Sequence, residues 1–245
     1  MKVFRRLPPV DKREPCVLTI GNFDGVHLGH QAVLSRLVAT ARAHALPACV
    51  LTFEPHPREY FAAVPGASEA ARAAVPPRIL TERDKLDALA DCGVDRVCIA
   101  HFNGSLASMP AETFIETILL EGLQARHLMI GDDFRFGARR RGDFDMLQDY
   151  SARHGFALER MPTVAHDGER YSSSAVRRAL GAGDLDLARS LLGRPYFISG
   201  HVIHGRKLGR TLGFPTLNIR IPFDNPAIAG IFIVQVHGLA ERPLP

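Results

Sequence analysis

Short apolar runs with few polar interruptions alternate with helical patterns through the first two thirds of the chain, and nothing else in the sequence restricts the fold as strongly. The runs are "CVLTI" (16–20), "ACVLTF" (48–53), "VDRVCIA" (94–100), "RHLMI" (126–130) and "FALER" (156–160). Between them lie helical patterns from about His30 to Ala45, from about Glu82 to Cys92, from near Pro110, and from about Phe144 to His154. Strands lacking polar alternation are covered on both faces, and strands separated by helices pair in parallel. The pattern predicts an α/β domain with a doubly wound parallel sheet. Ligands of such sheets gather at the carboxyl ends of the strands. The polar stretches "GNFDGVHLGH", "EPHP" and "GDDFRFGARRRGD" fall at those ends. The Ala/Pro-rich segment 62–77 shows little pattern and reads as a long loop.

Near residue 183 the texture changes. After "GDLDLARSLLGRPY", read as a short helix with a glycine stop, come "FISGHVI", "TLNIRI" and "GIFIVQVHG", which read as strands of an antiparallel β-domain. The expected organisation is therefore one domain over residues 1–183 and a β-barrel domain over 184–245. Three short strands cannot bury two faces, so the second domain reads as incomplete. The net charge of +4 and pI near 9.1 suit phosphorylated ligands, though basic surfaces also serve nucleic acids. Nothing resembles a signal peptide or a membrane span, which leads to a cytoplasmic expectation. Cys16, Cys49, Cys92 and Cys98 lack CxxC or zinc spacing and read as buried, reduced thiols.

The stretch "IGNFDGVHLGHQ" (20–31) sets Gly21, Asn22, Phe23, Asp24 and Gly25 between the first strand and the first helix, followed by His27 and His30. Glycine lets a ligand approach the main chain, and the start of a helix offers free N–H groups and partial positive charge to an anion. Two histidines three apart fall on one face of a first helical turn and can donate hydrogen bonds to phosphate oxygens. Alone, an HxxH with a "DG" turn is more often a local structural feature, and no third metal ligand lies nearby. Neither a GxxxxGK[ST] loop nor a GxGxxG fingerprint is present.

"GNFDGVHLGH" resembles the HxGH motif of the nucleotidyltransferase superfamily, in the form found in bacterial bifunctional riboflavin kinase/FAD synthetases. "TFEPHP", "GDDFRFG", "RYSSSAVRRAL", "LLGRPY" and "GHVIHGRKLGRTLGFPTLNI" are similar to that family's segments in the same order. The resemblance implies transfer of AMP from ATP to FMN, giving FAD and pyrophosphate, by the N-terminal module. It implies His27 and His30 at the ATP phosphates, with Arg177 completing the catalytic set and Gly21, Asn22, Phe23, Asp24 and Gly25 shaping the pocket. Ser172 to Ser174 stand where helix N-caps are favoured, so Ser173, Ser174 and Arg170 join the phosphate-binding candidates. Ser174 stands where the family commonly has Thr. Asp132, Asp133 and Phe134 in "GDDFRFG" could hold adenosine hydroxyls, support magnesium or stack on a ring, with Phe136 equally suited to the core. His56 in "EPHP" is placed at the site's rim by the resemblance, and the arginines 139–141 read as a solvated basic loop.

"GFPTLN" resembles the kinase signature of the same family. Thr216 and Asn218 are two apart, hence on one side of a strand, and both oxygens could meet one magnesium ion and the ATP phosphates. Members of the family continue past this point and draw their glutamate base and much of the flavin pocket from that later region, so kinase activity is not expected of this chain. The implied cofactors and substrates are ATP, Mg2+, FMN as substrate and FAD as product, with riboflavin as kinase substrate in the complete protein. The partners are these small molecules, without nucleic acid or membrane and with homo-oligomerisation left open. Two other readings stand beside this one. They are a superfamily relative acting on another phosphorylated substrate, and a non-catalytic basic nucleic-acid-binding protein.

Overall fold

The computed structural model describes residues 1–162, 164–166, 169–206, 208–211, 213–214, 216–223 and 225–239. Six strands, β1 (Lys2–Phe4), β2 (Cys16–Ile20), β3 (Ala48–Glu54), β4 (Arg96–His101), β5 (Ala125–Gly131) and β6 (Ala157–Met161), form one sheet in the order β1-β4-β3-β2-β5-β6. Every neighbouring pair runs parallel. Parallel strands need crossovers. Helix α1 (Leu28–Ala43) joins β2 to β3, while α2 (Pro57–Ala63), α3 (Glu69–Ala73) and α4 (Glu82–Asp91) join β3 to β4. The β4 to β5 crossover holds α5 (Gly104–Ala107), α6 (Ala111–Thr113) and its π-helical continuation Phe114–Gly122; α7 (Phe144–His154) leads to β6.

The strands lack polar alternation because both faces of the sheet are packed. Along β2, Val17 enters one core cluster with Leu34, Leu37 and Leu89, while its neighbour Leu18 enters the other with Phe114, Ile115 and Leu119. Helix α1 buries Leu34, Leu37, Val38 and Ala41, the i, i+3, i+4, i+7 spacing of a single apolar face. Helix α7 is bounded as its sequence suggests: Asp143 accepts the Met146 N–H at the start, and Gly155 takes φ 70° at the end.

After β6 come a two-residue hairpin, β7 (Ala165–His166) and β8 (Glu169–Arg170), then α8 (Ser173–Gly181) and α9 (Leu185–Leu192). Helix α9 places Ala188, Leu191 and Leu192 in the same core cluster as Val176 and Leu180 of α8. Strands β9 (His201–Ile203) and β10 (Asn218–Arg220) pair antiparallel around α10 (Leu208–Thr211).

Three expectations need correction. Strand β1 was not foreseen; it is short, and only pairing with β4 (Val3 opposite Val97) makes it a strand. The predicted loop over 62–77 contains the end of α2 and all of α3, which Ser68 caps by accepting the Ala71 N–H. The stretch "GIFIVQVHG" forms no strand, and Ile231 and Ile233 are fully solvent-exposed at 102% and 103%. Just before it, the chain docks back on the first core: Arg78 donates to the Asn225 carbonyl at 2.9 Å, Ala227 donates to the Arg78 carbonyl at 3.0 Å, and Ala227 is buried. Residues 240–245 of the expected second domain lie outside the described residues, as do Lys207 and Leu212 of the glycine-rich stretch and Pro215 of "PTLN". Among the described residues no helix is long and apolar enough to cross a membrane.

Candidate active site

The chain leaves β2 at Ile20 and enters α1 at Leu28 through a corner with three residues in the left-handed region, Phe23 (φ 49°), Gly25 (φ 89°) and Val26 (φ 40°). Glycine adopts this freely, but the two side-chain-bearing residues each store about 1–3 kcal/mol, so the surroundings must over-determine the geometry. Asp24 is the main anchor. Its buried carboxylate accepts the N–H groups of Ile79 and Leu80 at 3.3 Å and pairs with Arg177 Nη2 at 2.5 Å. Arg177 also donates through Nε to the Pro77 carbonyl at 2.7 Å, and Ser173 Oγ donates to the Asp24 carbonyl at 2.8 Å. Behind the corner the buried Lys85 places Nζ 3.4 Å from the Asn22 carbonyl and from Thr52 Oγ1. Burial lowers the Lys85 pKa.

The two imidazoles meet by a different route from the expected helical face. His27 is the N-cap of α1, with extended backbone, and its Nδ1 accepts the His30 N–H at 3.3 Å. The rings stack with centroids 3.7 Å apart and planes 20° from parallel. A methyl group on Gly29 would stand 3.2 Å from His27 Nδ1 and 3.0 Å from Tyr171 Cβ, so the glycine between the two histidines makes room for the ring. Burial, with Arg170 and Arg177 nearby, pushes the His27 pKa down to about 4. Burial, His27 and Arg177 hold His30 well below its usual value. Both rings are thus neutral near pH 7, and because Nδ1 of His27 accepts, its proton sits on Nε2 as a donor. His30 Nδ1 and Asn22 Oδ1 are buried and have no hydrogen-bond partner among the described residues. Buried polar atoms of this kind are satisfied by water or ligand.

The corner forms one wall of a cleft of about 880 Å³. Of the sequence-derived candidates, Gly21, Asn22, Phe23, Asp24, His27, His30, His56, Asp132, Asp133, Phe134, Arg170, Ser173, Ser174 and Arg177 all line it. Gly25 does not: it faces Ile79, where an added methyl would lie 3.1 Å from Cδ1, so its role is the turn. Ser172, rather than its neighbours, caps α8 by accepting the Ala175 N–H at 3.1 Å. Ser173 ties α8 to the corner, and Ser174 is exposed. His56 is buried, caps α2 in a reciprocal box with Glu59, and has its pKa pushed down to about 4 by burial and Arg78. Arg78 is held between Glu54 at 2.7 Å and Glu59 at 2.5 Å. Asp133 pairs with Arg170 at 2.9 Å, Asp132 lies 3.7 Å from Arg160, and Phe134 stacks on Phe136, which is a core residue.

Arg139 and Arg140, read from sequence as a solvated loop, also line the cleft, although both are exposed. They adopt φ 54° and 58° after Gly137, which packs so tightly on Ala111 that an added methyl would lie 2.6 Å from its Cα. That glycine was the available signal. Lys85 gave none, being one lysine in an ordinary helix. Part of the cleft lining is aromatic: Phe53, Phe61 and Phe102 line it, with ring centroids 5.8 Å apart for Phe61 and Phe102 and 5.9 Å for Phe53 and Phe102. All four cysteines are free thiols; Cys16, Cys49 and Cys98 are buried and Cys92 is half-buried.

Thr216 and Asn218 are not among the residues lining this cleft; both are exposed, against the glycine-rich stretch. A methyl on Gly205 would lie 2.5 Å from the Asn218 amide, and one on Gly209 would lie 2.9 Å from Thr216 Cγ2. Their neutral oxygens fit a magnesium ion whose remaining ligands come from nucleotide phosphates. No cluster of three or more His, Cys, Asp or Glu side chains suited to a metal occurs among the described residues.

The family model for FAD synthetase matches residues 10–175, and that for riboflavin kinase matches residues 192–245. The chain is 45% identical over 247 aligned positions to a bifunctional riboflavin kinase/FMN adenylyltransferase of Escherichia coli (strain K12), covering 100% of this chain and 76% of that one. It is 48% identical over 221 positions to the protein of the same name from Pseudomonas fluorescens, covering 90% and 68% respectively. A crystal structure described as a macrolide-efflux protein from Streptococcus pneumoniae superposes with a TM-score of 0.73 at 25% identity, covering 92% of this chain and 70% of that one.

Proposed function

The chain belongs to the bifunctional riboflavin kinase/FMN adenylyltransferase family, and from that premise we propose that the cleft beside the histidine corner is where AMP passes from ATP to FMN. The chain is an enzyme of FAD synthesis, with ATP, FMN and riboflavin as the family's substrates and only part of the kinase region present. The stacked pair of neutral imidazoles at the start of α1, inside the cleft, carries the assignment of the site.

In the proposed reaction an FMN phosphate oxygen attacks the α-phosphorus of ATP in line, and the bond to the pyrophosphate oxygen breaks. No covalent intermediate is needed, so the protein's work is positioning and charge stabilisation. The Nε2–H of His27, the neighbouring His30 ring and the N-terminus of α1 face the oxygens whose charge grows. Arg177, fixed by Asp24 and the Pro77 carbonyl, supplies a positive charge that does not have to be organised as the reaction proceeds. The aromatic lining of Phe53, Phe61 and Phe102 accepts the flavin ring by stacking, and the arginines 135, 139, 140 and 170 guide the phosphates. Their convergence on one cleft favours phosphorylated small molecules over nucleic acid. When bound, magnesium neutralises phosphate charge, and Thr216 and Asn218 are the residues proposed to hold it in the riboflavin kinase region.

The proposed division is adenylyl transfer over 1–183 and the riboflavin kinase region over 184–245, with the cytoplasm as the compartment that supplies ATP and keeps the thiols reduced. The test is incubation of the chain with ATP, magnesium and FMN, with flavins resolved by chromatography. FAD is the expected product. A folded sample that leaves FMN unchanged would sink the reading, and a parallel reaction with riboflavin scores the kinase region separately.

A further inference from the structure

The strained corner is braced on its outer side by the segment that leads away from α9. Arg194 donates from Nη2 to the Gly25 carbonyl at 2.8 Å and from Nη1 to the carbonyls of Val26 at 3.1 Å and Leu192 at 3.3 Å. Gln31, one turn into α1, sends its amide to two of the same oxygens, Val26 at 2.9 Å and Leu192 at 2.8 Å. Gly193, at φ 71°, lets this segment press on the helix start, since a methyl there would lie 2.6 Å from Leu28 Cδ2. Two side chains thus converge on the carbonyls of two consecutive residues with positive φ, immediately before His27.

Resting on the reading of the cleft as the adenylyl-transfer site, we propose that Arg194 is a positioning residue for that reaction, contributed by the stretch that matches riboflavin kinase. It touches no substrate. Its planar fork holds the Gly25 and Val26 peptide planes, and through them the N-cap conformation that aims His27 into the cleft. Strain of this kind persists only while the surroundings enforce it, and small displacements of a phosphate-gripping group are costly in rate.

The experiment uses the full chain with Arg194→Lys, which keeps the charge and the stem but loses the fork, and Gln31→Met, which removes the second brace at similar volume. Expected for Arg194→Lys is a fall in kcat for FAD formation of at least about tenfold. KM for FMN should shift less than threefold, because neither Arg194 nor Gln31 lines the cleft, and the melting temperature should stay within a few degrees. Gln31→Met should lower kcat in the same direction and decides alone if Arg194→Lys does not fold. NMR titration of His27 gives a readout independent of turnover. The titratable and charged groups facing that ring are His30, stacked on it, and Asp24, Arg170, Arg177 and Arg194, and loosening the corner with the charge retained should move its pKa up toward the ordinary value. If wild-type protein makes no FAD, the parent reading fails, and the titration then tests only whether Arg194 holds the His27 ring in place. Wild-type turnover with an unmoved His27 titration in both variants would overturn the proposal, as would losses of kcat that merely follow losses of stability.

Discussion

The histidine corner at residues 20–31 and the glycine-rich stretch ending at Asn218 are both read as phosphate-binding motifs, yet they are built in opposite ways. The corner is held by partners far away in sequence: Arg177 reaches Asp24 across 153 positions and Arg194 reaches Gly25 across 169. Around Asn218 the close contacts are local, to Gly205, and the nearby large apolar side chains of Val202, Phe214 and Ile219 stand exposed. The difference teaches that a phosphate site carrying backbone strain needs a finished core behind it. A site whose close contacts are local can be spelled locally, and it gains rigidity only from whatever later covers it.

Substitution can break this contrast, most severely at Asp24. Asp24→Ala leaves the mostly buried Arg177 unpaired and two amides without an acceptor, so stability should fall by about 3–5 kcal/mol and FAD formation should vanish. Urea unfolding and the flavin assay read both. A smaller and purely functional effect is expected from His30→Ala, with kcat lower by about 10²–10³-fold while the melting temperature hardly moves. Equal loss of rate and stability would reduce the corner to a structural knot.

The pH dependence sharpens the comparison further. His27 and His56 are held near pKa 4 when folded against 6.5 in the unfolded chain. Between those values the unfolded state binds more protons at these two sites, so their contribution to stability is complete above about pH 6.5, declines as pH falls, and levels off below about pH 4. Each imidazole contributes at most on the order of 3 kcal/mol to that decline, and His27→Gln should flatten the slope in that window when urea midpoints are compared with wild type. Arg139→Ser, at the exposed rim, should lower kcat/KM for ATP only about two- to fivefold at low salt, with the effect vanishing at 0.5 M salt. Ile233→Ser, on a fully exposed residue of the other region, should change stability by less than about 0.5 kcal/mol.

Much of the parallel sheet was legible because its determinants are local. Unbroken apolar runs announced strands covered on both faces, and Asp143 and Gly155 bounded α7 at the predicted residues. The corner was legible as glycines and histidines at a strand-to-helix junction. Its wiring was not. Nothing near Asp24 spells Arg177, and nothing in "LLGRPY" says that its arginine bonds the Gly25 carbonyl. The same holds for Arg139 and Arg140, whose charge suggested solvent until Gly137 packed on Ala111 and turned them toward the cleft. Strand β1 and the absent strand at "GIFIVQVHG" fail for a related reason: β-structure needs a partner edge, which β4 offers to Val3 and which residues 231–235 lack among the described residues.

The sheet order places β2 between β3 and β5, each with a further neighbour outside it, so the strand from which the histidines hang is shielded on all sides. Its amides should be among the slowest in the chain to exchange with deuterium, opening only when the whole domain opens. A protease that trims the periphery would then meet an enzyme whose chemistry is the last thing to come loose.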